Sequence, residues 1–390
     1  MDSIDKQLEI QPKYVIYCKK CVISNQRPRI TFDENGICRP CNWAEEKKGI
    51  DWAGRQQKLI DLCGKYRRHD GRYDVIVPCS GGKDSAMVAH KLKHIYNMHP
   101  LCITYAPFLY TETGWANFQN LIKSGFTVIQ NWPNSHLHRI LSRIAFEAVG
   151  DNFQPFPYGQ VAFPFHMALK HNIKLVFYGE NQDIEYGGNP KTKNMPGMPI
   201  EDFAERFFKG ALIKDLILWG EDRGLISGRD YLESDLMFYQ SPPIDEIKSA
   251  DIQFHWMGFY QPWHPLENVD YVIKNTGFQR DPQRSTGTYT NYASLDDKLD
   301  GLHYYMAYIK FGIGRATADV CSAIRDGIMS RDEAIGIVSK YDGEFPNRYL
   351  DEVLEYLSLN MTELHSIIDM YRPPHLWKKV NGEWKLKETI

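Results

Sequence analysis

The sequence predicts an α/β fold built on a parallel sheet with helices on both faces. Short apolar runs alternate with helical patterns between residues 73 and 178, which is the arrangement typical of parallel sheets. A glycine-rich turn follows the first of these runs, and two close pairs of cysteines precede it. These observations separate a cysteine-bearing unit, an α/β domain and a C-terminal region.

Each unit has its own pattern. We predict a four-cysteine ribbon over residues 14–45, a linker helix over 51–72, an α/β domain over 73–290 and a mostly helical region over 291–380. The predicted strands are 73–78, 101–105, 126–129 and 174–178, and the helices between them are 84–97, 113–124, 135–149 and 160–171. Further helices are predicted at 295–311, 316–326 and 348–359, with another that Ser330 caps together with Glu333. Residues 187–199 predict a loop, and 200–290 show no clear pattern.

The composition excludes some classes of function. The net charge is −3, whereas a dedicated nucleic-acid-binding protein usually has a basic excess that neutralises phosphates. We therefore expect no nucleic-acid partner. No apolar run is long enough to cross a membrane, and the first residues lack a signal pattern. Because close cysteine pairs fit a reducing compartment, we expect a cytoplasmic protein.

The glycine-rich turn is the run SGGKDS, from Ser80 to Ser85. Adjacent glycines let backbone N–H groups approach an anion, and the helix that follows adds the positive end of its dipole. The serine hydroxyls can donate hydrogen bonds, and Lys83 can neutralise phosphate charge. The spacing of a Walker A loop is absent, so we predict a phosphate-binding loop of another type.

The two cysteine pairs are Cys18 with Cys21 and Cys38 with Cys41. Two CxxC pairs at this spacing are typical of zinc sites, where four thiolates surround the metal. Since no coordination position stays open, we predict structural zinc, with an iron–sulfur cluster as the alternative. Cys79 stands beside the glycine-rich turn and is predicted to be a small buried side chain.

Further candidate residues follow the fourth predicted strand, at the same edge of the sheet as the glycine-rich turn. This segment reads GENQDIEYGG from Gly179. Glu180 and Asp183 are predicted to hold Mg²⁺ or to contact the substrate, because carboxylates suit this ion. A solvated acidic loop is the alternative.

The run SGGKDS is similar to the PP-loop of the ATP pyrophosphatases, which cleave ATP between its α and β phosphates. This resemblance implies a HUP-like domain of the adenine nucleotide alpha hydrolase type, with ATP at the strand ends. The ATP-binding residues that it implies are Ser80, Gly81, Gly82, Lys83, Asp84 and Ser85.

Over residues 14–379 the chain resembles the N-acetyl sugar amidotransferases of bacterial lipopolysaccharide O-antigen and pseudaminic-acid-type (nonulosonic acid) biosynthesis. The segments that carry the resemblance are CKKCVIS, RITFDENGICRPC, PCSGGKDS, YGENQDIEYGG, TNYASLDDKLDGLHYYMAYIKFGIGRATAD and RPPHLWKK. It implies that ATP, with Mg²⁺, adenylylates the amide oxygen of an N-acetyl sugar and that ammonia then displaces AMP. We predict the catalytic residues Lys83, Asp84, Glu180 and Asp183, and the substrate-binding residues Asn181, Asn291, Lys298, Lys310 and Arg315.

The sequence predicts that ammonia comes from outside this chain. One glutaminase type needs a cysteine at the mature start, but the chain begins Met1-Asp2-Ser3. The triad type needs a Gly-x-Cys-x-Gly turn, which none of the cysteines has. The resemblance implies a separate ammonia-supplying pair, a glutaminase and a cyclase-like protein similar to those of histidine biosynthesis.

Two other functions stay open from the sequence. A PP-loop tRNA-thiolation enzyme can also carry an N-terminal zinc ribbon, but no further CxxC follows Cys41. A non-catalytic nucleotide-binding subunit is the second alternative, and the intact Lys83, Asp84 and Ser85 argue against it.

Overall fold

The computed structural model describes residues 3–180, 184–185, 191–198, 202 and 208–390. Two predicted site residues, Asn181 and Asp183, therefore lie outside the described residues, as do 187–190 and 199 of the predicted loop. No helix in the described ranges is both long enough and apolar enough to cross a membrane.

The strands of the described chain are β1 (Val75–Pro78), β2 (Pro100–Tyr105), β3 (Val128–Asn131), β4 (Leu175–Tyr178), β5 (Gln253–Trp256), β6 (Trp377–Val380) and β7 (Glu383–Leu386). The α-helices are α1 (Lys6–Glu9), α2 (Arg39–Glu46), α3 (Trp52–Tyr66), α4 (Lys83–His94), α5 (Glu112–Lys123), α6 (Ser135–Val149), α7 (Pro155–His171), α8 (Ile213–Glu221), α9 (Ile244–Ser249), α10 (Met257–Tyr260), α11 (Pro265–Thr276), α12 (Asp300–Phe311), α13 (Arg315–Arg325), α14 (Arg331–Tyr341), α15 (Leu350–Leu357) and α16 (Met361–Met370). Short 3₁₀ helices cover Lys47–Gly49, Glu233–Tyr239 and Asn347–Tyr349.

Strands β1 to β5 form one parallel sheet in the order β3-β2-β1-β4-β5. Strand β1 is central, and its residue Ile76 pairs with Leu101 of β2 and with Val176 of β4. Since all five strands run in the same direction, their carboxyl ends share one edge, which is where ligands bind in open α/β sheets.

Alternate residues of β1 feed two different hydrophobic cores. Ile76 packs in a core with Leu141 of α6 and Phe165 of α7. Val75 and Val77 face the opposite core, which contains residues of α4 and α11. Because successive side chains of a strand point to opposite faces, both faces of β1 are buried under helices. The predicted α/β architecture is thus confirmed.

The C-terminal region is mostly helical, as expected, but it also contains a β-hairpin that the sequence analysis missed. Strands β6 and β7 pair antiparallel. The indole Nε1 of Trp377 donates to the carbonyl oxygen of Ile309, at 2.8 Å, and so ties this hairpin to α12. The core around α12, α15 and α16 includes Phe146 of α6, so the C-terminal region packs directly on the α/β part.

The predicted helix 295–311 begins five residues late, at Asp300. Residues before it are engaged in other backbone hydrogen bonds: the Lys298 N–H donates to Leu109 at 2.8 Å, and Tyr110 forms a β-bridge with Asp297. These long-range bonds outcompete local helix formation.

The helix starting at Arg331 has the predicted Ser330–Glu333 capping box. Strand β5 lies in the region that showed no clear pattern.

Candidate functional site

The run SGGKDS connects the central strand β1 to helix α4, at the carboxyl edge of the sheet. Gly81 has a φ of +92°, and a Cβ atom there would lie 2.6 Å from Cα of Phe118. Only glycine fits this position. Gly82 caps α4, and its N–H donates to Oγ of Ser80 at 3.3 Å. The turn is therefore held tightly against α5, with the N-terminus of α4 at its open side.

Lys83 and Asp84 form an ion pair in the first turn of α4, with Nζ and Oδ2 2.6 Å apart. Asn268 of α11 donates to the other carboxylate oxygen of Asp84 at 3.4 Å. Burial disfavours the charge of Lys83, but the carboxylates of Asp84 and Glu180 outweigh it and raise the pKa above its usual range. Lys83 therefore stays a cation at the open side of the turn.

Glu180 lies where the sequence analysis expects it, directly after β4 and beside the run SGGKDS. Its charge acts on Lys83. At the preceding Gly179, a Cβ atom would approach the ring of Trp263 to 2.8 Å and Cβ of Asp84 to 3.5 Å. The segments that follow β1 and β4 thus lie close together. The carboxylates of Asp84 and Glu180 both act on the ammonium group of Lys83.

Asp296, which the sequence analysis did not select, lies against the same turn. Its Oδ2 is 3.7 Å from the place that a Cβ of Gly82 would take. Burial raises the pKa of Asp296, while the Ser80 hydroxyl and the charge of Lys83 oppose this shift. The doubled aspartate at 296–297 inside the quoted C-terminal segment is the signal that could have found it.

The loop after β2 holds the segment around Asp296 through hydrogen bonds from Thr111. The Thr111 hydroxyl donates to the carbonyl oxygen of Leu295, and the Thr111 N–H donates to that of Asp296 at 3.2 Å. A Cβ atom at Gly114 would lie 2.5 Å from the Leu295 oxygen, so a side chain there would push the segment away. The C-terminal region is thereby fixed beside the run SGGKDS.

Arg315, the first residue of α13, also reaches this place. Its charge acts on both Lys83 and Asp300. Its Nη1 donates to Oγ of Ser294 at 2.8 Å, and its guanidinium lies over the ring of Tyr304 at 4.4 Å. An ion pair with Asp319, at 3.1 Å, fixes the remaining side of the guanidinium group.

The other predicted substrate-binding residues have different surroundings. Asn291 donates to the backbone oxygen of Asp281 at 2.9 Å. Lys298 pairs with Glu352 at 2.8 Å and lines the same cavity as Arg315. Lys310 is 2% exposed. Its ammonium group is held by Asp5 and by the Val149 carbonyl oxygen, each at 2.9 Å. Of these three, the structure brings Lys298 to the cavity and gives Lys310 a role in anchoring the N-terminal segment.

All eight cysteines of the chain are buried. Cys79 is 3% exposed, as expected for a small core side chain. Burial, together with the neighbouring Cys102, raises the pKa of the Cys79 thiol well above its usual value. A thiol held protonated in this way is a poor nucleophile.

The two predicted cysteine pairs come together in one cluster. Their four Sγ atoms lie within 4.8 Å of one another, and those of Cys21 and Cys38 are 3.7 Å apart. A tetrahedral zinc site with Zn–S bonds of about 2.3 Å requires an S–S distance of roughly 3.8 Å. Backbone N–H groups of Lys20, Cys21 and Cys38 point at the Cys18 sulfur, at 3.2–3.4 Å. The cluster therefore fits a structural zinc ion.

Helix α13 connects this cluster to the run SGGKDS. Arg315 begins the helix, while the thiol of Cys321 interacts with Cys21 further along. Burial opposes the charge of Arg325, but the nearby sulfurs of Cys321, Cys21 and Cys41 raise its pKa. Eleven helical residues span roughly 16 Å. The sequence analysis did not select Cys321 or Arg325, because neither belongs to a metal-binding motif.

Together, the sheet and the turn define an α/β protein with a glycine-rich turn between its central strand and helix α4, contacted by a C-terminal segment. Residues 286–390 match the family model described as "LPS biosynthesis protein WbpG-like, C-terminal domain". This match includes Asp296 and Arg315 and associates the C-terminal part with lipopolysaccharide biosynthesis. No significant match to the chain is found among the curated proteins.

Proposed function

We propose that this protein is an ATP-dependent amidotransferase that converts the N-acetyl group of a sugar into an acetamidino group. It would act in the biosynthesis of lipopolysaccharide O-antigen or of a nonulosonic acid such as pseudaminic acid. The observation that carries the proposal is the meeting of Ser80 and Lys83 with Asp296 and Arg315. The turn that we propose to bind ATP thereby lies in contact with a segment of the WbpG-like match.

The reaction balances as two displacements. The amide oxygen of the sugar attacks the α-phosphorus of ATP, and pyrophosphate leaves. Ammonia then attacks the activated carbon, the C–O bond breaks, and AMP leaves with the former amide oxygen. In the first step, Lys83 and the N–H groups at the start of α4 bind the phosphates. Arg315 stabilises charge that develops between ATP and the acceptor.

The carboxylates beside Lys83 fit a magnesium ion, since this ion prefers oxygen ligands and phosphates. Asp84 and Glu180 are the described residues that would hold it, and we propose Asp183 as a further ligand. When bound, Mg²⁺ neutralises phosphate charge. The four-cysteine cluster would hold zinc as a structural ion, because all four positions are taken by thiolates.

The ammonia source is proposed to be a separate protein pair, a glutaminase and a cyclase-like protein. Every cysteine is buried, so none presents the exposed nucleophile that a built-in glutaminase needs. The same burial argues against tRNA thiolation, which needs an accessible sulfur carrier. We propose the cytoplasm as the location, since ATP and the precursor sugars of these pathways are found there.

The decisive experiment is incubation of the purified protein with ATP, Mg²⁺, ammonium and a panel of nucleotide-linked and nonulosonic N-acetylated sugars. Mass spectrometry should find AMP, pyrophosphate and a sugar in which O is replaced by NH. A heavy-oxygen label placed in the acetamido group should appear in AMP. Formation of ADP, or label in pyrophosphate, would contradict the proposal.

Variants of the turn provide the control for this assay. Lys83→Ala combined with Ser80→Ala should lower the rate of AMP formation at least about a hundredfold. Lys93→Ala changes a lysine near the other end of the same helix and should leave the rate unchanged. With an acceptor sugar present and ammonium left out, isotope exchange between ATP and pyrophosphate separates a catalyst from a nucleotide-binding subunit, because the first displacement is reversible.

A further inference from the structure

A cavity of about 50 Å³ lies beside the run SGGKDS, between the loop after β2 and the start of α12. Thr111, Leu295 and Arg315 contribute to its wall. Asp296 faces Ser80 of the turn, and the next residue, Asp297, lines the cavity. The cavity therefore borders the segment that contacts the turn.

The cavity is of the size of a small functional group. One water-sized group needs roughly 10–15 Å³ of such space, so the volume suits about four of them. An acetamido group, with its methyl carbon, carbonyl carbon, oxygen and nitrogen, has this size. A whole sugar ring does not fit, and would stay at the entrance.

The polar groups of the cavity leave hydrogen-bonding capacity for a ligand. Asp297 is 5% exposed, and its Oδ1 accepts from the Leu299 N–H at 2.8 Å. Within the described part of the chain, the other oxygen of Asp297 and the carboxyl group of Asp300 have no hydrogen-bond partner. Both side chains line the cavity. These carboxylate oxygens can therefore accept hydrogen bonds from a polar ligand in the cavity.

The rest of the lining suits the two ends of an acetamido group. Leu295 and the ring of Tyr304 offer apolar contact for a methyl group. Arg315 lies over that ring, and its charge acts on both Lys83 and Asp300. Arg315 thus lines the cavity and also acts electrostatically on the lysine of the turn.

We propose that this cavity binds the acetamido group of the acceptor, with Asp300 accepting the amide N–H and Arg315 beside the carbonyl oxygen. The inference rests on the proposed function, since it assigns the acceptor subsite of that reaction. A carboxylate that accepts the N–H increases electron density on the carbonyl oxygen and makes it a better nucleophile. Asp300 would thus both orient and activate the acceptor.

The test uses two small amides rather than the unidentified sugar. N-methylacetamide has the N–H that Asp300 would accept, whereas N,N-dimethylacetamide lacks it. Saturation-transfer NMR on the full-length protein with ATP and Mg²⁺ should show a methyl signal for the first that is several times that for the second. In Asp300→Ala this preference should disappear, and in Asp300→Asn, which keeps one acceptor oxygen, part of it should remain. Asp332→Asn, on the exposed face of α14, is the matched control and should behave like the wild type.

Each outcome decides the inference separately from the proposed function. Equal signals for the two amides in the wild type, or an unchanged preference in Asp300→Ala, overturn it even if acetamidino sugars are formed. A preference that depends on Asp300 supports it even if AMP formation fails. Thermal unfolding of each variant confirms that the compared proteins are folded. If Asp300→Ala does not fold, the partial loss in Asp300→Asn decides the question.

Discussion

The four-cysteine cluster and the site around the run SGGKDS both contact helix α13, but they are built in opposite ways. In the cluster all four thiols are fully buried, and backbone N–H groups point at the Cys18 sulfur. In the other site, charged groups such as Lys83, Asp84 and Arg315 act electrostatically on one another beside the turn. This contrast fits a closed centre that serves the fold and an open site that carries the proposed chemistry.

The shared helix makes the two regions interdependent. Arg315 is fixed by Ser294 and Asp319 at the start of α13, and the further part of the helix packs on the cysteines through Cys321. Movement of the cluster would therefore displace the guanidinium group. Since α13 is short and packed along its length, we expect this coupling to be mechanical rather than electrostatic.

Loss of a zinc ligand should give the largest effect and tests whether the closed centre serves the fold. We expect the wild type to contain one zinc ion per chain, and Cys38→Ser to lose it together with about 3 kcal/mol or more of unfolding free energy. Metal analysis and denaturant unfolding measure both quantities. Cys63→Ala removes a buried thiol outside the cluster and should keep the zinc. Full stability of Cys38→Ser without metal would show that the cluster is not a structural centre.

Substitution of two glycines that have positive φ tests whether the backbone of the turn positions ATP. Gly81→Ala and Gly71→Ala both place a Cβ in an unfavourable conformation, at φ +92° and +77°, which costs roughly 1–2 kcal/mol. Only at Gly81 does the new atom collide, with the backbone of Phe118. Gly81→Ala should therefore displace the turn and lower kcat/KM for ATP by about a hundredfold.

Gly71→Ala is the matched control, because no atom lies within 4 Å of its Cβ position. It should lose only the roughly 1–2 kcal/mol that the positive φ costs and should keep its kcat/KM for ATP. Initial rates of AMP formation, measured beside thermal unfolding, separate the two effects. Equal kinetic losses in both variants would mean that the backbone of the turn does not position ATP.

The sequence predicted those features that arise from neighbouring residues, but not those that depend on contacts between residues far apart in the chain. Strands β1 to β4, helix α6 and the Ser330 capping box follow from local patterns and were predicted. The contact of Asp296 with Ser80 and that of Cys321 with Cys21 join distant parts of the chain, and no local pattern encodes them. The late start of α12 has the same origin, because Thr111 and Leu109 bind the backbone before it.

The smallest expected effect is a pH dependence of acceptor binding through Asp300. Burial raises the pKa of Asp300 to about 6, with His303 and Arg315 opposing and Asp296 and Asp151 adding to the shift. Only the ionised carboxylate accepts an amide N–H with full strength. Binding of N-methylacetamide should therefore weaken about tenfold as the pH falls from 8 to 5.

The stability of the fold should depend on pH in the opposite direction from amide binding. The folded-state pKa of Asp300 lies above the unfolded value, so its contribution to stability is present at low pH and is lost as the pH rises through about 6. The groups that face Asp300 from its surroundings are His303, Asp296, Arg315, Asp151 and the cavity residues Asp297, Lys298 and Arg348. In Asp300→Asn the inflection near pH 6 should vanish from amide binding, and the unfolding temperature at pH 8 should rise. An inflection that persists in Asp300→Asn would assign the titration, and with it the acceptor contact, to another group.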